Sequence, residues 1–131
     1  MEAGSLLRVV TLRRGKLRAV EFRLREGEKG LSLFAWSPNL LPTALVGAVR
    51  EAGKQGELGV AVLSADELRR LGLKVLATPG GTPVAVVNAL HREARLPRWR
   101  QFWLALIRKP LHEYFNETLS DRLFAAARLL P

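Results

Sequence analysis

A chain of 131 residues with 21 Lys and Arg against 12 Asp and Glu carries a formal charge of +9, yet 48% of it is hydrophobic. That pairing excludes a disordered basic tail and points to a folded domain with a cationic surface. The absence of cysteine excludes disulfides, thiolate metal sites and cysteine nucleophiles.

The length suits one domain, 1–131, burying about two-thirds of the surface its unfolded form exposes. The opening residues lack the basic start and long apolar stretch of a signal peptide. No run approaches the roughly 20 apolar residues of a membrane span. A soluble cytoplasmic protein with no membrane contact is therefore expected. The bias toward Leu, Ala, Arg, Gly and Val is bacterial in character, and abundant arginine without cysteine suits a thermophile.

Residues 6–12 read as a strand and Arg13–Lys16 as a tight turn. In residues 17–24, Val20, Phe22 and Leu24 alternate with Glu21, Arg23 and Arg25, the period-two pattern of a half-buried strand. A loop over 26–30 leads to a third strand ending at Trp36, giving an antiparallel meander. Pro42 opens a helix carrying Leu41, Leu45, Ala48, Val49 and Ala52 on one face, with Gly53 as its stop.

Residues 58–63 are apolar on both sides and read as a buried strand. Ser64-Ala65-Asp66-Glu67 is a capping box, opening a short helix that Gly72 closes. A strand over 73–76 and a Pro/Gly turn over 78–83 follow. The β-branched residues of 84–90 favour a strand, although Thr82-Pro83 would equally start a helix. Beyond Pro97 the pattern is helical. Trp99, Phe102, Trp103, Leu106 and Ile107 fall at i, i+3, i+4, i+7 and i+8, a broad stripe expected to pack on the sheet. Leu111, Tyr114 and Phe115 share a face of a second helix. Ser120 and Asp121 are placed to cap a third, carrying Leu123, Phe124, Ala127 and Leu130. The expected class is α+β: a mostly antiparallel sheet of about five to six strands, covered by helices that fill the C-terminal third.

Basic residues cluster in two stretches. Arg8, Arg13, Arg14, Lys16, Arg18, Arg23, Arg25 and Lys29 form the first; Arg92, Arg95, Arg98, Arg100, Arg108 and Lys109 form the second. Guanidinium groups donate paired hydrogen bonds to phosphates, and cations gain affinity for nucleic acid by releasing its counterions. The expected polyanion site is Arg13, Arg14, Lys16 and Arg18 with Arg92, Arg95, Arg98, Arg100, Arg108 and Lys109. The plainer alternative is a solvated surface, with Arg23 near Glu21 and Arg92 near Glu93 in weak pairs. Trp99 and Trp103 between Arg98 and Arg100 match the pattern that stacks single-stranded bases, but the stripe assigns them to the core. Trp36 belongs at a buried rim.

His112, Glu113 and Tyr114, beside Asn116 and Glu117, are the densest set of groups capable of proton transfer, and His91 stands apart. Neighbours on a helix point in different directions, so Tyr114 in the core with His112 and Glu113 solvated is the expected arrangement. Two histidines twenty-one residues apart and no HExxH spacing give no metal site, and no cofactor is expected. The turn over 78–83 lacks the spacing of a phosphate loop.

GLSLF at 30–34 and AVLSADELRRLGLKVLATPGGTP at 61–83 resemble small uncharacterised bacterial domains with an LSVF…ELRxLGLxV…P pattern. Where that pattern has His-Ala after its Pro-rich turn, this chain has Val84-Ala85. Some such domains are suspected toxins, including ones of ADP-ribosyltransferase-like build. The resemblance implies that activity only as an alternative and transfers no NAD-site residue.

Three functions follow as expectations. The first is binding of nucleic acid, RNA or DNA, or another polyanion. The second is a toxin-like enzyme acting on RNA or NAD through His112, Glu113, Tyr114 or His91. The third is a subunit that binds an acidic partner, with a homodimer completed by the C-terminal helices.

Overall fold

The computed structural model describes residues 1–131. Its centre is a six-stranded antiparallel sheet of order β4-β5-β2-β1-β3-β6. The strands are β1 (Ser5–Thr11), β2 (Leu31–Ala35), β3 (Leu58–Ser64), β4 (Lys74–Ala77), β5 (His91–Arg95) and β6 (Arg128–Leu129). The helices are α1 (Pro42–Glu51), α2 (Ala65–Arg70), α3 (Ala85–Ala89), α4 (Arg98–Leu106), α5 (Leu111–Thr118) and α6 (Ser120–Ala126). The class is α+β, with helices in the C-terminal third, as the hydrophobic pattern predicts. No helix is long and apolar enough to cross a membrane.

Strand periodicity sends the core to both sides of the sheet. Leu6, Val10, Leu31, Leu33, Ala61, Leu63 and Ala94 lie against Phe22, Leu68, Leu104, Phe115 and Leu123 on one side. Leu7, Val9, Phe34, Val60 and Val62 lie against Leu45, Ala48 and Val87 on the other. β3, apolar on both faces, sits where both are covered.

Several local signals act as expected. Arg13 and Lys16 form a bridge around Arg14 (φ 52°) and Gly15 (φ 74°), the two left-handed positions of a tight hairpin turn. The Ser64 hydroxyl accepts the Glu67 amide at 3.0 Å, and Pro42 occupies the first turn of α1.

Four expectations are overturned. Residues 17–24 are not a strand: Ala19–Phe22 form a 3-10 turn that packs on α6 and buries Phe22 and Leu24, so contact with a helix overrides the alternation. Residues 84–90 contain helix α3 rather than a strand, because the Thr82 hydroxyl is bonded to the Val84 amide and to Asn88 and starts a turn there. Ser120 does not cap α6: it is buried inside the helix and donates to the Asn116 carbonyl at 2.8 Å, and Leu130 lies beyond the helix. Finally, the apolar stripe of α4 is outside. Trp99 is 63% exposed, Phe102 67%, Leu106 66%, Ile107 52% and Trp103 41%, while Leu104 alone is buried.

Candidate functional site

Strand direction decides where the basic residues go. β1 runs from Ser5 to Thr11, and the antiparallel registers place Leu58 of β3 beside Thr11, Ala94 of β5 beside Leu31 of β2, and Lys74 of β4 beside Arg95. The turn of Arg13, Arg14 and Lys16, then Lys29, Lys54, Lys74, Arg95 and Arg98, therefore belong to one end of the sheet. These residues follow or precede five neighbouring strands, from β4 to β3. α2, in which Asp66 pairs with Arg69 at 3.0 Å, starts from the opposite end, where Ser64 lies beside Ser5.

Not every predicted cation is free. Arg18 approaches Glu21 at 3.5 Å, Arg95 pairs with Glu93 at 2.7 Å, and Lys109 pairs with Glu117 at 3.0 Å and Glu113 at 3.7 Å. These replace the expected Arg23–Glu21 and Arg92–Glu93 pairs. The Glu117 hydrogen bond raises the pKa of Lys109 above its ordinary value. Arg92 turns back to the carbonyls of Ala89 and His91, at 3.1 and 2.9 Å. Arg13, Arg14, Lys16, Arg98 and Arg108 have no carboxylate within 4.0 Å.

α4 leaves β5 at this same end. Its outward stripe is a ring-bearing surface, and Arg100 holds it in place: the guanidinium lies 4.4 Å from the Trp99 ring centre, 5.2 Å from Trp103 and 5.7 Å from Tyr114. Trp103 and Tyr114 meet edge to face at 6.3 Å. Such contacts fix ring orientation and cover one face of Trp99, which stays largely exposed.

The second feature lies between β1 and β2. Their ladder stops after Leu7↔Phe34, and side chains take over its polar groups. Arg8 donates through Nη1 to the Ser32 carbonyl and through Nε to the Glu21 carbonyl, both at 2.7 Å. Glu21 accepts the Thr11 amide at 2.7 Å. Lys54 donates to the Val9 carbonyl at 2.9 Å. The splayed strands enclose a cleft of about 420 Å³, reached by Arg8, Arg23, Arg25, Lys54, Ser32 and His91. Burial pushes the Arg8 pKa down to about 10 and lowers that of Lys54, with the nearby Arg8 charge adding to the second effect.

His91 is gripped from both sides: Nε2 lies 2.6 Å from the Ser32 hydroxyl and Nδ1 lies 2.8 Å from the Thr78 hydroxyl. Its ring meets Phe34 edge to face at 5.2 Å. In the neutral ring one nitrogen donates and the other accepts, so the two hydroxyls select the tautomer between them.

His112 and Glu113 open on a different hollow, of about 680 Å³, beside Lys29, Arg95 and Arg98. Tyr114 lines a third with Trp99 and Arg100. The four candidate proton-transfer residues are thus divided among three places, and only His91 has polar partners on both ring nitrogens. No three His, Asp or Glu side chains gather as a metal-ligand set.

No protein-family model matches the chain. No curated protein and no solved structure matches it either. Sequence reasoning passed over Lys54, Ser32 and Thr78. Arg8 had a legible signal: it shares strand parity with Leu6 and Val10, so alternation sets a charge among core positions, where it needs polar partners.

Proposed function

We propose that the protein binds single-stranded nucleic acid through the outward face of α4 and the basic end of the sheet. One observation carries this reading. Trp99, Phe102 and Trp103 are solvent-exposed on a helix that also bears Arg98 and Arg100, with Arg108 in the turn that follows it. Bases stack on aromatic faces regardless of sequence, at about 1–3 kcal/mol each, while neighbouring cations follow the phosphates. The direction of β1 and β5 supports it, because the Arg13, Arg14 and Lys16 turn and the start of α4 belong to the same end of the sheet.

The reading assigns roles. Trp99 and Phe102 are stacking platforms. Arg100 holds the rings apart from one another and supplies charge. Arg13, Arg14, Lys16 and Arg98 carry backbone contacts that select for phosphate rather than for sequence.

The test is titration with a poly-pyrimidine oligonucleotide, read by tryptophan emission at several salt concentrations. Binding is expected to quench emission and to weaken as salt rises, with a slope of about −0.7 per phosphate contacted. Trp99→Ala and Phe102→Ala are each expected to weaken it about tenfold. No binding at low salt overturns the reading, as does self-association of the free protein through α4, seen by light scattering, that leaves no oligonucleotide bound.

A further inference from the structure

We propose that the cleft between β1 and β2 is a site for a small phosphorylated ligand of mononucleotide size, separate from the face of α4. The charge inventory comes first. Arg8, Arg23, Arg25 and Lys54 reach the cleft against Glu21 and Glu28. Both carboxylates are already engaged by backbone, Glu21 with the Thr11 amide at 2.7 Å and Glu28 with the Arg25 amide at 2.6 Å. Arg23 and Arg25 have no carboxylate within 4.0 Å. An excess of two positive charges faces a space partly shut off from water, where an unneutralised cation is costly.

The donors suit phosphate. Arg8 uses Nε and Nη1 on carbonyls, leaving its other N–H groups, and Lys54 spends one of three protons on Val9. Two further guanidinium groups at the mouth make a set that matches a dianion with three acceptor oxygens. A carboxylate offers one charge and two oxygens and leaves part of the set unmatched.

The walls suit an attached group. Ser32, Thr11 and Thr82 bring hydroxyl-bearing side chains to the lining, and Phe34, Val20 and Val49 bring apolar ones. Ser32 is fixed by His91, which is fixed in turn by Thr78, so this wall is ordered before any ligand arrives. A volume of about 420 Å³ lies within the range that small-molecule sites occupy.

The experiment is calorimetric titration of the full chain with adenosine monophosphate, inorganic phosphate and adenosine at low salt. Saturable one-to-one binding of the monophosphate is expected, at least tenfold tighter than inorganic phosphate, with no binding of adenosine. Arg25→Ala and Lys54→Met are each expected to weaken it at least tenfold. Arg69→Ala removes the same charge outside the cleft, and Trp99→Ala removes a stacking ring; both are expected to bind as the parent does. Absence of saturable monophosphate binding overturns the proposal, and so does an Arg69→Ala loss equal to that of Arg25→Ala, which marks the attraction as one of net charge. Oligonucleotide binding is read separately, so either site can fail without the other.

Discussion

The Arg8 guanidinium meets the Ser32 carbonyl at 2.7 Å across the gap where β1 and β2 stop pairing. A side chain there does what a strand amide does elsewhere in the sheet. The strands can then part without orphaning a buried carbonyl, and a cleft opens in the middle of a six-stranded sheet rather than at its rim.

Removing this group should weaken the fold as well as the cleft. Arg8→Met leaves the Ser32 and Glu21 carbonyls without their donor, and the expected loss is about 1–3 kcal/mol in denaturant unfolding. Arg8→Lys carries the charge but not the fork that serves two carbonyls, so it is expected to recover only part of the loss. An Arg8→Met protein as stable as the parent overturns this account of the gap.

The outward direction of the α4 stripe has a consequence for stability. Trp99→Ala and Phe102→Ala alter mostly solvated rings and are expected to change stability by no more than about 0.5 kcal/mol. Leu104→Ala, on the same helix but buried, should cost about 2–5 kcal/mol. Unfolding curves for the three variants decide the matter, and the reverse ordering places the stripe in the core.

Lys54 gives the pH dependence. Its pKa is lowered from 10.5 by burial in the folded protein, so below that value the unfolded chain holds the proton more firmly than the native one. Stability therefore rises with pH from the lowered folded value up to about 10.5 as this charge is relieved. Lys109 runs the other way: its pKa is raised, so its contribution is complete below 10.5 and is lost as pH climbs through the folded value. Comparing the parent with Lys54→Met from pH 7 to 10.5 should show the parent gaining on the variant. A constant difference means that Lys54 is solvated.

Backbone approach makes a fourth test. A Cβ at Gly30 falls 2.6 Å from the Arg95 Cγ and 2.7 Å from the Ala94 carbonyl oxygen. Gly30→Ala must push β2 away from β5 and is expected to cost about 1–3 kcal/mol in thermal or denaturant unfolding. Gly47, within α1, has no atom within 4 Å of its Cβ position, and Gly47→Ala is expected to stabilise by about 0.5–1 kcal/mol.

By itself the sequence determined the elements whose signals are local: the apolar run of β1, the doubly apolar run of β3, the Ser64 cap, the Arg14-Gly15 turn and the three C-terminal helices. Its strand-like patterns first and helical patterns last also determined the α+β class. Only the tertiary structure decided which way things point. Periodicity draws a stripe on α4 but does not say what meets it, and α4 docks through Leu104. Residues 19–22 alternate like a strand, yet contact with α6 coils them. Ser32, His91 and Thr78 meet only because β5 pairs with β2 on one side and β4 on the other, and Lys54 joins Ser32 and His91 around the cleft only once β1 and β2 separate. A pattern confined to a few successive residues reports local preference; a cleft arises from how distant segments share space.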